Sequence, residues 1–120
     1  MLIIIMEWKY EFTDDKSSIA DCLSNWKKIV ATTHHEKYIV IFDIRKANNF
    51  NVKGILQLTA FIALNKKKIK AQTEKVRIML DSIEQENSIK RGLRLSPYLV
   101  EFEIVNTLEN KVEHYDNNPF

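Results

Sequence analysis

Glycine and proline are scarce, with two of each in 120 residues. Tight turns, a glycine-rich phosphate loop and the short strands of a β-sandwich all draw on these residues, so long regular elements are expected instead. The one cysteine, Cys22, cannot form an internal disulfide. Zinc sites usually need several Cys or His ligands at short spacing, so no metal and no other cofactor is expected, and a reducing, cytoplasmic setting fits. Charge of one sign is not in excess either. Eighteen Lys+Arg against sixteen Asp+Glu leave a net charge of +2, too weak a field to imply nucleic acid or an anionic membrane as partner. The longest opening apolar run, Met1 to Met6, falls far short of the ~20 residues that span a bilayer, and it has no basic leader.

What is present is the composition of a globular protein, 45% hydrophobic and 28% charged, enough to build one core in one domain. That domain is expected over residues 1–115, with 116–120 as a frayed tail. Trp8, Tyr10 and Phe12 alternate with Glu7, Lys9 and Glu11, the two-residue period of a strand, read here over residues 2–12. Ile19, Cys22, Leu23, Trp26, Ile29 and Val30 then mark one face of a helix. Residues 38–44 are continuously apolar apart from Asp43, which predicts a central strand covered on both faces. A helix apolar nearly all round follows from Val52, through Ile55, Leu56, Leu58, Phe61 and Ile62, closing on Lys66, Lys67 and Lys68. Strands over residues 75–80 and 100–105 flank a helix over 84–93, and a last helix is expected from Thr107 to His114. The order β-α-β-α-β-α-β-α predicts an α/β fold, a sheet of about four strands with alternating helices.

Little in this pattern points to catalysis. His34 and His35 are adjacent, so their side chains point apart, and no acid or thiol sits at a motif spacing to orient them. His114 and the Lys66–Lys70 run read as solvated surface, and Cys22 as a small core residue on the apolar face of its helix. Asp43 stands apart, because the carboxyl ends of strands in open α/β sheets usually carry ligands or partners. It is expected at least to organise the loop that holds Asn48 and Asn49.

The segment 39–44 with its Asp43, the loop ending in Asn49, Phe50 and Asn51, and the stretch from Gly54 to Leu58 together resemble the STAS domain. That family's pattern is a strand ending in Asp, a short loop, and a helix opened by Asp-Ser-Ser-Gly-Leu. A looser resemblance is to SiaC-type regulatory proteins, on Trp26 in the first helix. The STAS resemblance spans residues 37–115 and implies a layered α/β fold. Its bacterial members include anti-sigma-factor antagonists, cytoplasmic proteins that bind a switch kinase and are phosphorylated on a serine at the helix start. Aligned on Gly54, Asn51 takes the acidic position, Val52 the phosphorylated serine and Lys53 the second serine, so the acceptor hydroxyl is missing.

The resulting expectation is a non-enzymatic, STAS-like interaction module for a switch kinase-like or other regulatory protein, or for a second copy. Its docking residues are expected to be Asn48, Asn49, Asn51, Val52, Lys53, Leu58 and Phe61, with Asp43 and Gly54 organising the loop. Leu58 and Phe61 enter because the helix has more apolar surface than one sheet can cover. The alternative is a small α/β ligand-binding protein or enzyme using the polar loop after Asp43, where the helix N-terminus after Asn51 offers free N–H donors to an anion.

Overall fold

The computed structural model describes residues 5–13, 19–32, 37–47, 52–95 and 99–116. The elements run β1 (Ile5–Thr13), α1 (Ile19–Thr32), β2 (Lys37–Lys46), α2 (Val52–Leu64), α3 (Lys66–Gln72), β3 (Thr73–Leu80), α4 (Ile83–Leu95), β4 (Phe102–Asn106) and β5 (Lys111–Tyr115). The five strands lie in the order β1-β2-β3-β4-β5. The first four are parallel and β5 is antiparallel to β4. Each crossover thus steps to the next strand in the same direction. Right-handed crossovers of that kind place their helices on one face of the sheet.

The packing follows this topology. Trp8, Val40, Val76, Phe102 and Tyr115 form one row across the five strands, and all five belong to or pack against the core. That core is completed by Cys22 and Trp26 of α1, Ile55, Leu58 and Ile62 of α2, Ile69 of α3, and Ile89 and Leu93 of α4. Trp26 joins sheet to helices, its ring 5.5 Å from Phe42 and 5.2 Å from Phe61. Burial pushes the Cys22 thiol far above its usual range, with the Asp21 charge adding to it.

The next row on the opposite face reads Lys9, Ile41, Arg77, Glu103 and His114. No described helix contributes to it, yet Ile41 and Asp43 on this face are buried like Val40, Phe42 and Ile44 on the other, so the central strand is covered on both faces as expected. The cover on this face is ionic. Glu103 pairs with Arg77 and, at 3.2 Å, with Lys75, while Lys9 reaches Asp43 at 3.4 Å. These long side chains close over Ile41, which is 6% exposed although it lies outside the apolar core.

Two expectations are corrected. The long second helix breaks at Asn65, whose side-chain Nδ2 donates to the Phe61 carbonyl at 3.0 Å and so ends α2. The helix expected after Thr107 is a β-hairpin. Asn106 Oδ1 accepts the backbone N–H groups of Leu108 and Glu109, both at 3.1 Å, and Asn110 takes a φ of 52°, a left-handed conformation that Asn tolerates better than most residues. The residues that look like a helix cap therefore make a turn. Residues 2–4 of the expected first strand, His34, His35 and the tail residues 117–120 lie outside the described residues.

Candidate functional site

The carboxyl end of β2 leads into the start of α2, where the expected docking residues cluster. Asn48, Asn49 and Asn51 lie outside the described residues. Val52 opens α2 half-buried and Lys53 is exposed, while Gly54 is buried in the first turn. Leu58 is not a docking residue. It is fully buried, and Phe61 is half-buried against Trp26. The reason is the position of α2 between α1 and α4, so that the apolar surface in excess of what the sheet covers is taken up by helices of the same domain. On the α4 side the approach is close. A Cβ placed on Gly92 would sit 2.5 Å from Ile55 Cγ2.

What α2 does present to solvent is another stripe, Lys53, Gln57, Ala60, Ala63 and Leu64, spaced as one face of a helix. Leu64 is 85% exposed at its end. Thr59, the nearest hydroxyl to the helix start, is buried and donates to the Leu56 carbonyl at 3.1 Å.

Asp43 is 3% exposed. Its carboxylate accepts the Arg45 backbone N–H at 3.1 Å and the Arg45 guanidinium through Nε at 2.9 Å and through the second nitrogen at 2.7 Å. This pairing lowers its pKa to about 2, against the opposing effect of burial. The chain leaving β2 is instead held by Gln85 of α4, whose Nε2 donates to the carbonyls of Ile44 at 2.6 Å and Ala47 at 3.1 Å. Gln85 is itself set by a variant of the capping box: its N–H donates to Oγ of the cap residue Ser82, and its Oε1 accepts the N–H of Asp81, one residue before the cap.

Sequence reasoning missed a second cluster. Glu86, 1% exposed on α4, accepts from Asn106 Nδ2 at 3.2 Å and from the Lys90 and Lys111 ammonium groups, each at 3.1 Å. Burial raises its pKa, but these three donors outweigh it and the net shift is downward. Lys90 also bridges to Glu113, which accepts the Tyr115 hydroxyl. The only signal in the sequence is the i,i+4 spacing of Glu86 and Lys90. The cluster ties the β4–β5 hairpin to α4. A shallow cleft of about 500 Å³ lies at the other end of the sheet, among Lys70, Thr73, Glu74, Val100, Glu101 and Asp116.

No protein-family model matches this chain, and neither a curated protein nor a solved structure matches it significantly. Among the described residues, no helix is long and apolar enough to cross a membrane.

Proposed function

We propose that the chain is a non-catalytic, STAS-like regulatory module of the cytoplasm that binds a protein partner through the start and outer face of α2. The observation that carries this reading is the solvent stripe from Lys53 to Leu64, which ends in a leucine 85% exposed. That stripe replaces Leu58 and Phe61 as the docking face. Small side chains at Ala60 and Ala63 leave the helix surface low around Leu64, a shape that admits a partner's side chains. Val52 lacks a hydroxyl and Thr59 is buried, so on this reading the module is not switched by phosphorylation at the start of α2. The ligand-binding alternative is not favoured, because Asp43, the acid it would use, is engaged by Arg45 and Lys9.

In-cell photocrosslinking tests the proposal. A benzophenone amino acid replacing Gln57 should yield a discrete protein adduct, and the same group replacing Glu84, exposed on α4, should not. Absence of an adduct at Gln57, or identical adducts at both positions, would refute it.

A further inference from the structure

The charges at the far end of α2 are unusually concentrated, four lysines within the five residues from Lys66 to Lys70. Lys9, Lys46, Lys75, Lys90 and Lys111 each meet a carboxylate. Lys66, Lys67, Lys68 and Lys70 of α3 are all exposed, and none has an ion-pair partner among the described residues. They are nevertheless held in place. Ile69, between them, is fully buried in the core, and its N–H donates to the Asn65 carbonyl at 3.0 Å. Asn65 is in turn fixed to the end of α2 through Phe61. The corner thus sets an anchored group of cations directly beyond Leu64.

From this placement we infer that the partner of α2 is an acidic amphipathic helix, packed antiparallel along the Gln57–Ala60–Leu64 stripe with the carboxylates of its first turns against Lys66, Lys67 and Lys68. The inference rests on the reading of that stripe as the docking face. Helices favour acidic residues in their own first turn, and an antiparallel partner brings that turn to the carboxyl end of α2, where the dipoles also agree. The stripe from Lys53 to Leu64 is three turns, ~16 Å, which suits a partner helix of similar length. A second copy of the chain fits poorly. Antiparallel pairing of two α2 helices would bring Lys53 of one copy toward Lys66–Lys68 of the other, cation against cation. A membrane surface fits poorly too, because Leu64 is the one large apolar residue on the stripe, whereas interfacial helices present a broad apolar face.

The test is a display library of 16-residue peptides on an Ala/Leu helical frame, with outer positions drawn evenly from Asp, Glu, Lys, Gln and Ser, panned against the full chain. Enriched peptides should concentrate Asp and Glu in their first two turns. A synthesised winner, followed by fluorescence anisotropy, should lose about tenfold or more in affinity against Lys66→Glu/Lys67→Glu/Lys68→Glu. It should lose less against the matching Gln variant, and binding should weaken as salt rises. Both variants should melt as the wild type does, since the three lysines are exposed. Failure to enrich any peptide, enrichment without acidic bias, or winners indifferent to the reversal would overturn the inference. If such winners are still lost with Leu64→Asp, the docking face survives and only the acidic partner falls; if they are indifferent to both, the docking face falls as well. Lysine-dependent sedimentation of the chain with phosphatidylglycerol/phosphatidylcholine vesicles, in place of peptide binding, would also overturn it.

Discussion

Gln85 Nε2 on α4 donates to the carbonyl of Ile44, 41 residues earlier in the chain, at 2.6 Å. One side chain thereby sets the exit of β2, because the Ala47 carbonyl accepts from the same nitrogen. Gln85→Ala leaves both carbonyls without this donor and removes half of the α4 capping box. A loss of about 1–3 kcal/mol is expected. Urea denaturation gives the number, and hydrogen exchange should show faster exchange in the first two turns of α2. Unchanged protection there would mean that Gln85 does not organise the loop.

Leu58 and Leu64 of α2 should differ sharply in what their removal costs. Leu58 is fully buried and Leu64 is 85% exposed. Leu58→Ala should cost about 2–5 kcal/mol and Leu64→Ala less than about 0.5 kcal/mol. Equal losses in thermal melts would contradict the assignment of core and docking face.

Gly92 meets Ile55 at the crossing of α4 and α2, where an added Cβ would lie 2.7 Å from Ile55 Cβ as well as against Cγ2. In an open helix, Gly→Ala stabilises by about 1 kcal/mol. Gly92→Ala should instead destabilise, because the methyl forces two packed helices apart. A higher melting temperature for the variant would show that this crossing is looser than described.

How much of this was legible in the sequence depends on the reach of each interaction. Local periodicity placed α1, β2, β3 and α4, because a helix or strand that buries one face repeats its apolar residues along the chain. The break at Asn65 was hidden, since the lysine run that follows is itself compatible with a helix and only the burial of Ile69 turns it into α3. The hairpin was misread because Thr107 has the residue type of a helix cap, whereas in the fold its hydroxyl donates to the Leu80 carbonyl and Asn106 beside it makes the turn. At the candidate site, the all-round apolar character of α2 was visible, but whether Leu58 faces a partner or the same domain is decided by α1 and α4, which lie far off in sequence. The Gln85–Ile44 and Glu86–Lys111 contacts have no local signature at all.

Acid should weaken the fold in a defined window. The Asp43 pKa is depressed to about 2 in the fold by Arg45, against an ordinary value near 3.9 when unfolded. The unfolded chain therefore takes up protons first as pH falls. The stabilisation from this group, about 2 kcal/mol, is fully present above about pH 4 and is lost as pH falls toward 2. Wild type should exceed Asp43→Asn by about that amount at pH 7, and the gap should close near pH 2. A gap independent of pH would place the effect in packing and not in the charge.

Removing the Glu86 carboxylate should release the hairpin. Glu86→Ala leaves the buried Asn106 amide without its acceptor, while Lys90 and Lys111 lose one partner but keep Glu113, and is expected to cost about 1–3 kcal/mol. Exchange should rise in β4 and β5 before it rises in β2. Uniform exchange across the sheet would show that the cluster supports the whole fold and not the hairpin.

Strand order in this sheet is the same as chain order. No strand waits for a later one to be inserted beside it, and each closure spans only a neighbouring βα unit or a tight hairpin. Pairing across a whole βα unit is slow compared with helix–helix closure, but no crossover here is longer than one such unit. The ionic face, whose rows draw one residue from every strand, closes only when Glu103 and His114 arrive. The apolar row ends on Tyr115 as the ionic row ends on His114, so both faces of the sheet are completed by the same C-terminal strand.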